Sequence, residues 1–135
     1  MNELKVDAKL EKLDDIMNFI WEELSKIEYP KKLRLKLQLA VEEIFVNIAS
    51  YAYVDKTGYA IVKVNVQEEP KAAVITFIDG GIKYNPLEKE DPDLNMPLEE
   101  RTEGGFGIYM VKNIMDDVEY DYVDSQNILT IKKYL

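Results

Sequence analysis

Cysteine and histidine are both absent from the 135 residues. Without cysteine there is no disulfide, no thiolate nucleophile and no sulfur ligand for a metal, which fits a reducing cytoplasm. Without histidine there is no imidazole for acid–base chemistry, no imidazole ligand and no phosphohistidine made on this chain. No stretch approaches the roughly 18 apolar residues that span a bilayer. The N-terminal MNELKVDAKLEKLDD has no apolar core of a signal peptide, so a cytoplasmic location is expected. There is no internal repeat and no low-complexity tract. Positive charge is also short: 17 Lys and Arg face 26 Asp and Glu, a formal charge of −9. Such a surface repels nucleic-acid phosphates and anionic lipid, and suits solubility or a basic protein partner.

What is present is a globular balance, 47% apolar and 32% charged. Residues 1–135 are expected to form one domain around one core. Leu4 and Val6 alternate with charged neighbours and read as a short edge strand. Leu10, Leu13, Ile16, Ile20, Leu24 and Ile27 recur at helical spacing, with Asp7 as the expected cap. Pro30 ends that helix. A second helix is predicted from Leu33 to Tyr53, burying Leu33, Leu37, Ala40, Val41, Ile44 and Ile48. Tyr59–Val66 and Ala72–Ile78 read as a β-hairpin. Residues 79–105 hold Pro86, Pro92, Pro97 and four glycines, a loop too long for a mere connector. A helix from Phe106 to Met115 follows, then strands Val118–Val123 and Ile128–Tyr134 around Asp124-Ser125-Gln126-Asn127. The expected fold is an α+β two-layer sandwich: one mostly antiparallel mixed sheet with helices on one face.

Three clusters carry candidate chemistry. Glu43 and Asn47 lie one helical turn apart at the border of the buried stripe. A carboxylate there can accept a hydroxyl proton, and an amide oxygen can ligate a hard cation. Ile78-Asp79-Gly80-Gly81 puts an acid at the end of an apolar strand, where it can accept a hydrogen bond from an exocyclic amine. Gly81 lets backbone pass close to a flat base. Gly104-Gly105-Phe106-Gly107 opens a helix, and glycine amides at a helix N-terminus form an anion cradle. Arg101 lies just upstream and can reach a terminal phosphate. Each cluster alone also has an ordinary reading: polar edging of a helix, a strand-ending turn and a hinge.

Their order along the chain resembles the N, G1 and G2 boxes of the GHKL ATPases, the group that includes gyrase and the histidine kinases. The stretches LAVEEIFVNIASYAY, FIDGGIKYNPL and EGGFGIYMVKNIMDDVEY look like its anti-sigma-factor Ser/Thr kinase branch, known from bacterial partner-switching systems. The resemblance implies a Bergerat-type ATP-binding fold with ATP and Mg²⁺. It implies Glu43 as general base and Asn47 as Mg²⁺ ligand. Asp79 would meet the adenine amine with Gly81 beside the ring. Gly105, Phe106 and Gly107 would lie along the phosphates, and Thr130 would support adenine from the last strand. Arg101 as a phosphate contact extends this reading. The implied partners are a sigma factor and a STAS-type antagonist, with a homodimer usual in the family. Two other readings stay open: an ATP-dependent binding module without catalysis, and a detached histidine-kinase catalytic domain acting in trans. Lys83 stands where the wider group often has a further glycine, and no histidine follows the N box.

Overall fold

The computed structural model describes residues 2–88 and 105–135. Five strands form one sheet in the order β1-β2-β3-β5-β4. They are β1 (Asn2–Asp7), β2 (Tyr59–Glu68), β3 (Lys71–Asp79), β4 (Asp117–Val123) and β5 (Gln126–Tyr134). All four pairings are antiparallel, so the sheet is not mixed. Among the described residues three α-helices, α1 (Leu13–Leu24), α2 (Leu33–Asn47) and α3 (Gly105–Ile114), cover one face.

The period-two alternation of the strands decides which residues meet the helices. Val62 and Val64 of β2, Ile75 and Phe77 of β3, and Leu129 and Ile131 of β5 point inward and are buried. They join Ile16 and Ile20 of α1, Leu37, Val41, Ile44 and Phe45 of α2, and Ile108 and Val111 of α3 in one core. Each fully buried aliphatic or aromatic side chain there contributes roughly 1.5–3 kcal/mol of transfer free energy. Val74, Thr76 and Ile78 of β3, with Ile128 and Thr130 of β5, occupy the opposite face and lie outside that core.

Several boundaries differ from the sequence expectation. Leu10 is 58% exposed in a 3₁₀ turn, Leu10–Lys12, and α1 begins only at Leu13. Asp7 does not cap that helix: it ends β1, paired with Tyr59, and the helix start carries no side-chain cap. Asp14 and Asp15 in the first turn instead face the positive end of the helix dipole. The second helix reaches as far as expected but changes pitch, with a π-helical turn over Ile48–Ala52 after α2. The hairpin β4–β5 turns through only Asp124 and Ser125, at φ 53° and 62°. That is the mirror-image two-residue turn whose twist suits antiparallel strands. It leaves Gln126 and Asn127 inside β5 rather than in a loop.

Candidate functional site

The π-helical turn and α2 lie over the inward ends of β3 and β5, and a cavity of about 480 Å³ opens between them. That is the size of an ordinary small-molecule site. Ile44, Ile48, Phe77, Ile108 and Leu129 give it apolar walls, and Asn47, Asp79, Tyr120 and Asn127 supply polar groups. Apolar walls with a few fixed polar atoms suit a heterocycle that carries its polar groups on its edge.

Asp79 is the last residue of β3 and is only 5% exposed. A carboxylate in that position needs donors. Its Oδ1 receives the Gly81 N–H at 2.9 Å and the Asn127 side-chain amide at 3.0 Å. No donor among the described residues reaches Oδ2. Every buried side-chain polar atom among those residues has a partner, so Oδ2 opens to the cavity. A single carboxylate oxygen at the end of an apolar slot is an acceptor for one exocyclic amine.

The loop after Asp79 is locked to the π-helical turn. The Ile82 N–H donates to the Ala52 carbonyl at 2.8 Å. A β-carbon at Gly81 would overlap that carbonyl group, so the close approach of the Ala52 backbone requires glycine here. Tyr53 accepts the Gly80 N–H at 2.8 Å and donates to the Tyr59 carbonyl at 2.6 Å. Burial raises the Tyr53 phenol above its usual range, which keeps it a donor. Tyr120 is likewise raised by burial and donates to Asn127 Oδ1 at 2.5 Å.

Glu43 and Asn47 stand one turn apart on α2 as expected. The Asn47 amide donates to Glu43 Oε1 at 3.2 Å. With its NH₂ turned to the carboxylate, Asn47 keeps its carbonyl oxygen free for a cation, and Asn47 lines the cavity. Glu43 lies outside the cavity wall and backs onto α3: a β-carbon at Gly107 would overlap its carboxylate. The glycine therefore brings the first turn of α3, the positive end of its dipole, against the acid of α2. The three sequence clusters meet at one end of the sheet.

Gly105 opens α3 and Phe106 follows it. Arg101 lies outside the described residues. Thr130 requires a correction. Its register partner is Thr76, the two hydroxyls are 3.5 Å apart, and both sit on the sheet face turned away from α2. Asn127, in register with Asp79, is the β5 side chain at the acid. It was missed because Asp-Ser-Gln-Asn reads as loop composition. Tyr120 and Lys83 were also missed as cavity residues; Lys83 stands at the lip with its Nζ 5.1 Å from the Tyr122 ring centre. Among the described residues, no helix is long and apolar enough to cross a membrane.

The family model for the histidine kinase-like ATPase domain matches residues 6–133. Among curated relatives, the serine-protein kinase RsbW of Bacillus mycoides is 26% identical over 100 residues, covering 71% of this chain and 61% of that protein. The serine/threonine-protein kinase BtrW of Bordetella bronchiseptica is 26% identical over 103 residues, covering 76% and 72%. The chain thus spans about 61% of the length of the RsbW relatives it matches. A structure of RsbU and RsbW domains from Mycobacterium tuberculosis superposes with a TM-score of 0.64 at 13% identity, over 100% of this chain and 33% of that one. The histidine kinase domain of a blue-light-activated kinase from Erythrobacter litoralis gives 0.58 at 15% identity, over 93% and 60%. At those identities the two superpositions speak for the fold.

Proposed function

Because this chain belongs to the histidine kinase-like ATPase family, we propose that it is an ATP-dependent Ser/Thr protein kinase of the anti-sigma type. In this reading residues 1–135 act as one ATP-binding domain in the cytoplasm. It holds a sigma factor and phosphorylates a STAS-type antagonist, and a homodimer is the working form. The observation that supports it best is the convergence of the three clusters, with Asp79 and Asn47 lining one cavity and Glu43 packed against Gly107. The two curated relatives named as serine or serine/threonine kinases support the same class.

Asp79 Oδ2 accepts the adenine amine, and Phe77, Ile44, Ile48 and Leu129 exclude water from the base. The Asn47 carbonyl oxygen would hold Mg²⁺, an ion that takes few protein ligands. The amides of Gly105 and Gly107 meet charge on the phosphates, and Mg²⁺, when bound, would supply the remaining charge neutralisation, which is most of what phosphoryl transfer needs. Arg101 adds a terminal phosphate contact. Glu43 takes the proton of the attacking serine or threonine hydroxyl. The new O–P bond forms as the bond from the γ-phosphorus to the bridging oxygen breaks, and ADP leaves with that oxygen.

The test is incubation of the protein with labelled MgATP and a candidate antagonist. Acid-stable phosphoserine or phosphothreonine on the antagonist is expected. Glu43→Gln should bind MgATP as the wild type does and lose about 10²–10⁴ in transfer rate. Transfer by Glu43→Gln at the wild-type rate would refute the role of Glu43. Binding without any transfer would leave a nucleotide-dependent binding module, and acid-labile phosphate would point to a histidine on the partner.

A further inference from the structure

We propose that Asn127 is a positioning residue that sets which nucleobase the cavity accepts, by committing one carboxylate oxygen of Asp79. The inference rests on the nucleotide-binding reading above.

Asn127 is 7% exposed and lies in register with Asp79 on the neighbouring strand. Its amide makes four hydrogen bonds. Nδ2 donates to Asp79 Oδ1 at 3.0 Å and to the Ile82 carbonyl at 2.9 Å. Oδ1 accepts from the Tyr84 N–H at 3.0 Å and from the Tyr120 hydroxyl at 2.5 Å. Two donors and two lone pairs are all that a primary amide has. Asn127 therefore has nothing left with which to read a ligand. Rotating the amide by half a turn would set its NH₂ against the Tyr84 N–H and its oxygen against two acceptors. The network admits one orientation, and that orientation acts through Asp79.

Asp79 Oδ1 then carries two donors, Asn127 Nδ2 and the Gly81 N–H at 2.9 Å. Its lone pairs are occupied, and Oδ2 is the single acceptor offered to the cavity. Adenine presents one exocyclic amine on its pairing edge and needs one such acceptor. Guanine presents two adjacent donors, N1–H and N2–H, which both oxygens of a free carboxylate would match side by side. Against this Asp79 one guanine donor would be buried without a partner, the situation by which polar sites discriminate most strongly. The sequence gives no sign of this arrangement, because it depends on the two-residue turn that returns Asn127 to β5.

The experiment measures binding of MgATP and MgGTP by calorimetry to the wild type, Asn127→Leu, Asn127→Asp and Thr130→Val. The wild type is expected to prefer MgATP, and Thr130→Val, on the far face of the sheet, to match it. Asn127→Leu should weaken MgATP by about tenfold or more, the usual cost of a lost bond to a charged group, and narrow the preference over MgGTP. Asn127→Asp keeps the shape and exchanges the donor for an acceptor. Its MgATP affinity should be low at neutral pH and recover in acid, where one carboxyl of the pair takes a proton and donates to the other. Tyr53, Tyr59, Tyr84, Tyr120 and Tyr122 surround this pair, with Lys83 on the cavity wall and Glu88 near Tyr120. Tyr53 and Tyr120 are held above the usual phenol range and do not titrate in acid.

A folded Asn127→Leu with wild-type affinity and wild-type preference overturns the inference. Should that variant fail to fold, Asn127→Asp decides: recovery in acid supports it, and a pH profile parallel to the wild type overturns it. A wild type that binds MgATP and MgGTP equally also overturns it while leaving the nucleotide reading intact. A wild type that binds neither removes the nucleotide reading itself.

Discussion

At Gly107 the space that a β-carbon would fill is taken by the Glu43 carboxylate. The obstacle is the end of a flexible side chain, so an added methyl group would move the carboxylate rather than break the fold. Gly107→Ala is therefore expected to stay within about 1 kcal/mol of wild-type stability. Its transfer rate should fall at least about tenfold, since small displacements of a catalytic group are costly. Chemical denaturation and single-turnover transfer on the same preparation check both halves; a variant with unaltered transfer would detach Glu43 from the chemistry. At this scale the sequence was informative where residue type and spacing coincide. Glu43 and Asn47 are four apart on a helix, and Asp79 closes an apolar strand before two glycines. It was uninformative where a face had to be chosen. In β5, Ile128, Leu129 and Ile131 are apolar in both phases, so alternation alone does not say whether Thr130 or Asn127 looks inward.

The elements that carry the site are two short departures from regular geometry. The π-helical turn over Ile48–Ala52 offers the Ala52 carbonyl to Ile82 and so fixes the loop that follows Asp79. Such turns often occur where a helix lines a functional cavity. Periodicity marked the helix out to this point but could not reveal the change of pitch, because Ile48 and Ala52 remain compatible with either winding. The other departure is the turn at Asp124 and Ser125, both at positive φ. Serine in that region carries a steric penalty that glycine lacks. Ser125→Gly is expected to stabilise the protein by roughly 0.5–1 kcal/mol, visible as a higher denaturation midpoint at unchanged slope. A lower midpoint would mean that the turn is not of the mirror-image type. Had the loop spanned four residues, Asn127 would have been outside the strand and away from Asp79.

At the scale of the molecule, the described residues form one antiparallel sheet and one helical layer, with the cavity at the sheet end where β3 stops and β5 starts. The layered class was legible because strand and helix periods alternate cleanly along the chain. The strand order was not, since β5 inserts between β3 and β4, a placement that no local pattern encodes. The net charge of −9 is a property of the same scale. It suits attraction to a basic partner face, with an association rate that declines as salt is added. The measurement that bears on the whole account is calorimetric titration of MgATP into the wild type and Asp79→Asn. One nucleotide per chain is expected for the wild type. Asp79→Asn replaces the single open carboxylate oxygen with an amide and should lose at least about tenfold in affinity. Silence from the wild type, or equal binding by both proteins, would contradict the assignment of this cavity to the adenine base.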